Sequence, residues 1–535
     1  MDCISTQVTY KQTGFFSHLM TDYLDQAPAL RPFFGYDNTW NGFDEALKTR
    51  QTFAVNRAAL QQHLLEQYSG LDLHTKVREN IQLLAQEHSY TIITAHQPNL
   101  LTGPLYFFYK ILHAIRLAED ARKRHPRFRF VPVYYMGNED ADLDELGHFF
   151  LNGEKFNWET KQTGAVGRMT IDDALLKLIN RAEGQVRVLP HGGPLMDRIK
   201  NIFTKGKQIQ QATLELVNDL FGEYGLLVMI ADSALMKQQA IPVFEKEIFE
   251  EGASAMVLQT TTRLEAAGYK VQAHPREINL FYLADGIRNR IEKNGDGFAV
   301  VNTDIRFSAA GMKEELYQHP ERFSPNVILR GIYQETILPN VAFVGGGGET
   351  AYWLQLKSLF HAYKVFYPVL VVRNSFLLLA ARQTKLLANM GIDPPQLFAG
   401  ADELMQWLVK REAGDAVSLN GKLEQTIILY EQIKEQASRI DKSLAAHVDA
   451  LKTKSIQKLS QLEKKMLRAE KRKYSSQKQQ LETLFQSLFP NGGLQERVEN
   501  FMTFYGQEGR GWIEKLYAAS TSFDQRFTII ESHTE

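Results

Sequence analysis

Short apolar runs alternate with amphipathic stretches through the middle of the chain, which predicts a parallel sheet covered by helices. We expect strands at five such runs, namely Thr91–Ala95, Arg129–Met136, Leu226–Ile230, Val341–Val344 and Val365–Val372. Apolar residues recur at helical spacing in Pro104–Lys123 and in Glu349–Tyr363. Because continuous apolar runs are typical of strands buried on both faces, the pattern favours an α/β fold.

The segments around these runs indicate additions to the sheet. Residues up to about 90 show mostly helical patterns. The segments at about 150–225 and 250–335 are too long for plain crossovers, and we interpret them as insertions on the sheet. The second insertion contains the strand-like run Arg276–Tyr282.

The region after about residue 420 changes in composition and predicts a long helical arm. Gly and Pro are absent from Lys422 to Leu488, and apolar residues form a seam with a break in spacing near Thr453–Ile456. The seam consists of Ile433, Ala437, Ile440, Leu444, Val448, Leu451, Leu459, Leu462, Met466 and Ala469. A helix of about 60 residues would reach about 90 Å. We therefore interpret this region as a projecting coiled-coil hairpin or a dimer arm.

The pattern predicts three regions along the chain. Residues 1–390 form a sheet core that carries the two insertions, and residues 391–490 form the helical coiled-coil arm. Residues 491–535 return to a globular composition, and their aromatic side chains are available to pack back on the core.

Composition and charge narrow the class of protein. The chain has 535 residues, 61 basic and 62 acidic, so its formal net charge of −1 gives no global attraction to nucleic acid or to acidic lipid. Basic residues of the arm are interrupted by acidic ones and indicate a solvated helix face. The single cysteine, Cys3, excludes an internal disulfide framework. With no run approaching about 20 apolar residues, we expect a cytoplasmic protein that binds neither nucleic acid nor membranes.

The loop after the first predicted strand is the most specific candidate for ligand binding. It reads Thr94–Tyr106 and offers His96, Gln97, Asn99 and Thr102 as polar groups before a helix that Gly103 and Pro104 introduce. A helix start presents free N–H groups to a phosphate or carboxylate. Because ligands of α/β proteins bind at the carboxyl ends of parallel strands, this loop predicts an anion site.

A second candidate follows the strand Arg129–Met136. Residues 137–148 include Glu139, Asp140, Asp142, Asp144, Glu145 and His148. So many carboxylates repel one another unless a cation, an amine or hydroxyl groups share the space. The alternative is a solvated acidic first turn of a helix. No known metal-ligand spacing is present, so we assign no metal ligand.

Two further candidates follow the last predicted strands. Gly345, Gly346, Gly347 and Gly348 allow close approach of a ligand to the backbone, and Glu349 lies at the start of the next helix. A tight turn with close strand–helix packing is the alternative interpretation of these glycines. Arg373 follows the run Val365–Val372 and offers a bidentate donor for phosphate or carboxylate.

Taken together, these motifs resemble the BshC family, the cysteine ligases assigned to bacillithiol synthesis. The residues that carry the resemblance are Leu101–Tyr106 with Tyr109 and Lys110; Glu139, Asp140, Asp142, Asp144, Glu145 and His148; Asn279–Tyr282 with Gly286 and Arg288; Leu338 and Pro339 before Ala342 and Phe343; Gly345, Gly346, Gly348, Glu349 and Ala351–Trp353; Arg373–Phe376; and Leu488–Gly492 with Leu494–Arg497. The resemblance covers nearly the whole chain. The chain departs from the family pattern at Ala95–Asn99, where Gly-Gln-Gln-x-Gly is common, and at Ala141 and Gly347, where histidine and proline are common.

The resemblance implies a Rossmann-like parallel sheet core with connecting insertions and a long coiled coil used for dimerisation. It also implies a ligase that joins cysteine to the amine of glucosaminyl-malate to form bacillithiol. Activation of the carboxyl group makes ATP an expected cofactor, with Mg²⁺ as its possible companion.

On this hypothesis the candidate site residues take two kinds of role. The candidates for catalysis are His96, Glu139, Asp140 and His148, of which either histidine is a candidate acceptor of the amine proton. The candidates for binding substrate or nucleotide are Gln97, Asn99, Thr102, Gly103, Asp144, Gly345, Gly346, Gly348, Glu349, Tyr352, Arg373 and Asn374.

Two other functions remain open from the sequence. One is a nucleotidyl-transferring ligase that activates another amino acid or uses another acceptor. The other is a non-catalytic coiled-coil scaffold, which predicts that changing His96, Glu139 or Asp140 leaves cellular thiol content unchanged.

Overall fold

The computed structural model describes residues 4–250, 252–413 and 418–532. Cys3 lies outside the described residues. Two compact units are present. The core unit comprises Gln7–Leu377 and Gly493–Thr528, and the helical unit comprises Leu378–Gly492 with the described residues at both ends of the chain. The division falls between Leu377 and Leu378, whereas we expected it near residue 390.

The strands have the following bounds: β1 Ile4–Val8, β2 Ser89–His96, β3 Arg129–Met136, β4 His148–Leu151, β5 Glu154–Asn157, β6 Leu227–Met229, β7 Leu280–Ala284, β8 Ile287–Asn294, β9 Gly297–Val300, β10 Arg306–Ser308, β11 Phe323–Pro325, β12 Asn340–Gly345, β13 Val369–Val372, β14 Ser375–Leu379 and β15 Phe527–Glu531.

The helices of the core unit are α1 Tyr10–Thr13, α2 His18–Leu24, α3 Trp40–Arg50, α4 Arg57–Gln67, α5 Thr75–Leu83, α6 Tyr106–Arg124, α7 Leu143–Leu146, α8 Asp173–Val186, α9 Gly192–Ile202, α10 Ile209–Phe221, α11 Ala234–Gln238, α12 Ile241–Phe249, α13 Ala253–Ala266, α14 Ala309–Gln318, α15 Val327–Ile337 and α16 Gly347–Ala362. The helical unit contains α17 Ala381–Met390, α18 Ala401–Ala413, α19 Asn420–Ile440, α20 Leu444–Lys471 and α21 Ser475–Leu488, and α22 Phe501–Glu508 and α23 Arg510–Ala519 return to the core unit.

The five predicted strands form one sheet, which confirms the α/β prediction. Its order is β13-β12-β2-β3-β6, and every neighbouring pair is parallel. Every residue of β2 is buried, as expected for a central strand covered on both faces. Because all five strands run the same way, their carboxyl ends meet at one edge of the sheet.

Both insertions are built from secondary structure of their own. The first holds the antiparallel pair β4–β5 and the helices α8, α9 and α10. The second holds an antiparallel sheet of order β10-β9-β8-β7-β11. The run that we expected to form a strand at Arg276–Tyr282 begins its strand only at Leu280.

The segment after the helical unit packs on α6. The ring of Phe108 lies 4.8 Å from that of Phe501 and 4.9 Å from that of Trp512. His113 of α6 bonds through Nε2 to the backbone oxygen of Ser522 at 2.8 Å. These contacts bring residues 493–528 against the helix that follows β2.

The long helical region is a hairpin of two antiparallel helices. Lys434 pairs with Asp449 at 2.7 Å, and Lys452 pairs with Glu431 at 2.6 Å, so the two helices run in opposite directions. The turn lies between Ile440 and Leu444, while α20 continues without interruption through Thr453–Ile456. The break in apolar spacing near Thr453–Ile456 therefore lies inside α20 and marks no helix end.

Candidate active site

A cavity of about 430 Å³ lies at the carboxyl edge of the parallel sheet. His96 and Gln97 line it after β2, Gly137–Asp140 after β3, Gly346–Gly348 after β12 and Arg373 after β13. The histidine loop, the acidic segment and the glycine turn therefore meet in one cleft.

His96 is the last residue of β2 and lines the cavity although it is only 7% exposed. Its Nε2 atom is buried and has no hydrogen-bond partner in the described part of the chain. Burial lowers the pKa of His96 well below its ordinary value, and the charges of Lys110 and Arg373 lower it further. The imidazole is therefore neutral at neutral pH and able to accept a proton.

Lys110 and Glu349 join α6 to the start of α16. The Lys110 ammonium contacts the Glu349 carboxylate and donates to the backbone oxygen of Ala95 at 2.8 Å. Burial lowers the pKa of Lys110, and the Glu349 carboxylate opposes that effect. Glu349 also accepts from the N–H of Gly346 at 2.8 Å, which fixes the glycine turn on the cavity wall.

The glycine turn presents the start of α16 to the cavity. The first N–H groups of a helix have no hydrogen-bond partner within the helix, so they are available to an anion. At the start of α6, in contrast, the N–H of Leu105 donates to the oxygen of Glu499 at 2.9 Å. Gly347 packs closely on Met20, since a Cβ there would lie 2.7 Å from the sulfur atom.

Arg373 is held by a buried carboxylate. Its guanidinium donates to both carboxylate oxygens of Glu496, at 2.6 and 3.0 Å, and to the hydroxyl of Ser375 at 2.8 Å. Burial opposes the charge of Arg373, but Glu496 raises the pKa of the guanidinium above its ordinary value. The charge of Arg373 is thus fixed beside the ring of Tyr106, 5.2 Å away.

Glu139 reaches a buried charge network behind the cavity. Its carboxylate contacts the ammonium of Lys237, which lies 3.6 Å from Asp232. Asp232 in turn accepts two hydrogen bonds from Arg168, both at 2.7 Å. Burial raises the pKa of Glu139, and Lys237 opposes the rise.

Asp140 lies on the same wall with fewer partners. Its carboxylate accepts from the Gln97 amide at 3.3 Å and from the N–H of Asp142 at 3.2 Å. The second insertion contributes Arg288. Burial lowers the pKa of its guanidinium, and the charges of Asp140 and Glu139 oppose that effect. We call Glu139, Asp140 and Glu145 the acidic wall, since all three line the cavity.

Arg330 of α15 also lines the cavity. Its guanidinium donates to the hydroxyl of Tyr352 at 2.6 Å and to the amide oxygen of Gln334 at 3.1 Å. We call Lys110, Arg330 and Arg373 the basic wall, since each of them lines the cavity. Opposite charges therefore face one space of substrate size.

Comparisons with known proteins match almost the full length of this chain. A family model described as "Bacillithiol biosynthesis BshC, N-terminal Rossmann-like domain" matches residues 1–374, and one described as its "C-terminal coiled-coil domain" matches residues 376–532. The chain belongs to the BshC family.

Relatives named "Putative cysteine ligase BshC" agree with this assignment. The protein of Cytophaga hutchinsonii is 38% identical over 94% of this chain and 94% of its own length. Those of Flavobacterium johnsoniae and Flavobacterium psychrophilum are 37% and 36% identical, each over 99% of both chains. Membership of the BshC family places this protein in bacillithiol biosynthesis as a ligase.

Seven of the site residues predicted for this BshC member lie outside the lining of the cavity. Asn99, Thr102 and Gly103 are buried behind the lining, and Gly345 ends β12. Asn374 binds Thr521 instead, through its amide group at 3.3 Å and its oxygen at 3.2 Å. Asp144 is exposed, and its backbone oxygen bonds to Nδ1 of His148 at 2.9 Å.

Other residues of the BshC site carried no signal of their own in the sequence. Arg330 is the one basic residue of α15, and Lys237 and Arg168 lie far from the motifs in the chain. Asp232 pairs with Arg168, and the neighbouring Ser233 caps α11. A charged residue within an apolar helical pattern, as at Arg330, is the one feature that could have pointed to the cavity.

Neither metal clusters nor membrane spans are evident in the described ranges. No three His, Cys, Asp or Glu side chains come together there in a way that could hold a metal ion. None of the helices in those ranges combines the length and the apolar character needed to cross a bilayer.

Proposed function

We propose that this protein joins the carboxyl group of cysteine to the amine of glucosaminyl-malate, forming the amide bond of bacillithiol in the cytoplasm. Family membership supports bacillithiol synthesis and ligation. The chemistry requires an amine that has lost its proton, and the observation that carries the proposal is that His96 lines the cavity while its buried Nε2 has no hydrogen-bond partner in the described residues.

The acidic wall and the basic wall suit different parts of the acceptor, glucosaminyl-malate. The acidic wall suits a sugar amine and hydroxyl groups, because carboxylates accept their hydrogen bonds. The basic wall suits the carboxylates of malate. Asp140 is the best-placed acid for the amine, since its partners are Gln97 and one backbone N–H, whereas Glu139 contacts Lys237.

His96 then accepts the amine proton as the new bond forms. The amine nitrogen attacks the activated carboxyl carbon of cysteine, the C–N bond forms, and the leaving group departs with the electron pair. The neutral imidazole holds a free lone pair for this proton at neutral pH. His148 is the weaker candidate, because it is not part of the cavity lining.

ATP is the activating compound that we propose for the cysteine carboxyl. When bound, it supplies a phosphoryl or nucleotidyl leaving group. The cavity fits an anionic group of ATP at Gly347 and Gly348, which line it at the start of α16. Any Mg²⁺ that accompanies ATP would keep most of its water ligands and be held mainly by the phosphates.

A second copy of the chain is the partner that we propose for the helical hairpin. The apolar seam predicted along α19 and α20 remains largely uncovered, with Ile433 at 40%, Ile440 at 80% and Leu462 at 47% exposure. Uncovered apolar side chains along a helical hairpin favour burial against another helical surface.

Reconstitution with purified components tests the proposed function. The protein is incubated with cysteine, glucosaminyl-malate and Mg-ATP, and the thiol product is identified by mass spectrometry. We expect a product with the mass of bacillithiol that requires all three compounds. A folded protein that yields no product with ATP or with other nucleoside triphosphates would contradict the proposal and favour a scaffold. Product from another amino acid or acceptor would favour the alternative ligase.

A further inference from the structure

The loop Leu101–Gly103 has a backbone that few sequences adopt. Leu101, Thr102 and Gly103 have φ values of 47°, 70° and 64°, so two non-glycine residues lie in the left-handed region in succession. Such residues persist only where their surroundings hold them, and they cluster at functional sites. The loop lies between His96 at the end of β2 and Tyr106 at the start of α6.

One buried side chain holds this loop. Asn500 is completely buried, and its amide nitrogen donates to the oxygen of Leu101 at 2.9 Å and to that of Gly103 at 2.7 Å. Its amide oxygen accepts from the N–H of Met502 at 3.1 Å and thereby caps α22. A single side chain therefore satisfies two buried carbonyl groups that would otherwise lack partners.

The backbone beside Asn500 extends the same connection. The N–H of Leu105 donates to the oxygen of Glu499 at 2.9 Å, directly before α6 begins. The carboxylate of Glu499 accepts from the N–H groups of Asn152 and Gly153 at 3.0 and 3.1 Å. The segment 499–500 thus ties the loop before α6 to the β4–β5 turn.

The conformation of this loop sets the spacing of two cavity elements. The ammonium of Lys110 in α6 donates to the oxygen of Ala95, one residue before His96. The rings of His96 and Tyr106 lie 5.3 Å apart. A relaxed loop would change where α6 begins relative to the end of β2. His96, Lys110 and Tyr106 would then lose their common geometry.

We propose that Asn500 is a positioning residue, which fixes His96 relative to Tyr106 and Lys110 by holding the carbonyls of Leu101 and Gly103. Asn500 itself does not line the cavity. The expected effect of Asn500 on kcat rests on the proposed function, whereas its effect on the loop does not.

Asn500→Asp is the sharpest variant, because a carboxylate still caps α22 but cannot donate to the two carbonyls. Asn80→Asp is the matched control. Asn80 is also buried, and its amide donates at 2.6 Å to the oxygen of Gly225, which has a φ of 77° and lies outside the cavity lining. Asn500→Ser, a smaller neutral cap, replaces Asn500→Asp if the latter does not fold.

Hydrogen exchange and steady-state kinetics, both measured on the full chain, test whether Asn500 positions the loop and His96. We expect faster amide exchange at residues 97–106 in the Asn500 variant only. We also expect a fall in kcat of about 10²-fold, the usual effect of misplaced reacting groups, with a much smaller change in KM. Unchanged exchange at 97–106, or faster exchange with unchanged kcat, would overturn the inference. If the wild-type protein makes no product, the proposed function fails, and exchange alone decides the role of Asn500.

Discussion

At the level of single residues, the chemistry of the cavity depends on His96. We predict that His96→Gln lowers kcat by about 10²–10⁴-fold, the usual contribution of a general base. His148→Gln is the control, because His148 is half-buried, lies outside the cavity lining and tests the alternative base. Product formation under saturating substrates measures both. A larger loss in the His148 variant would assign the proton transfer to His148.

The pH dependence of the reaction follows from the same imidazole. Burial, together with the charges of Lys110 and Arg373, lowers the pKa of His96 well below 6.5. The base is therefore active above that lowered pKa, and kcat falls only when the pH drops through it. A profile of kcat from pH 5 to 8 should show no loss attributable to His96 near pH 6.5. An acid limb at or above pH 6.5 that His96→Gln abolishes would contradict this environment.

Glu335 makes stability depend on pH. Burial raises the pKa of this carboxyl from 4.5 to about 7, although Arg50 and hydrogen bonds from Gln334 and Asn340 oppose the rise. Between these pH values the folded protein binds a proton that the unfolded chain has released. The Glu335 contribution to the free energy of unfolding therefore decreases as the pH rises from 4.5 to 7, by about 3 kcal/mol in total.

Glu335→Gln tests that dependence, because an amide keeps the acceptor for Gln334 and Asn340 without titrating. We expect the difference in the free energy of unfolding between variant and wild type to change by about 3 kcal/mol from pH 4.5 to 7, in favour of the variant at the higher pH. Urea unfolding at several pH values measures it. A difference that stays constant with pH would mean that Glu335 titrates normally.

At the level of elements, the loop before α6 depends on Gly103. This residue has a φ of 64° and a ψ of −140°, and an added Cβ would lie 2.7 Å from the Cβ of Asn99. We predict that Gly103→Ala destabilises the fold by about 1–3 kcal/mol and lowers activity with it. Gly206→Ala is the control, since Gly206 has a φ of 84° but open space around it. Equal losses in the two variants would show that packing against Asn99 is unimportant.

The strands of the central sheet could be predicted because their burial on both faces leaves continuous apolar runs. In the second insertion only β7 overlaps a predicted strand, since β8 at Ile287–Asn294 is largely exposed or half-buried and carries four charged residues. The hairpin turn at 441–443 carries no Gly or Pro. For that reason the sequence pattern gave no signal for the point where α19 ends.

The loops of the cavity were predictable for the same physical reason as the sheet. Strand direction alone brings four of these residues together, because each lies at or just after the end of a parallel strand. They are His96, Glu139, Asp140 and Gly346. Arg330 and Lys237 come from helices whose position depends on tertiary packing. Their presence at the site could be learned only from the structure.

At the level of the whole molecule, substitutions on the helical hairpin test self-association. We predict that the double variant Ile428→Glu, Ile440→Glu converts a dimer into a monomer in sedimentation velocity, because these residues are 55% and 80% exposed. Val188→Glu is the control, since Val188 is also 80% exposed but belongs to the core unit. A wild-type monomer, or a double variant that remains a dimer, would exclude this face as the dimer contact.

The central claim is that the cavity between the acidic and basic walls holds the acceptor with its amine beside His96. A crystal structure with bound glucosaminyl-malate tests this most directly. We expect the amine nitrogen about 3 Å from Nε2 of His96 or from the Asp140 carboxylate, with the malate carboxylates on the basic wall. Glucosaminyl-malate bound with its amine away from both groups, or outside this cavity, would contradict the account.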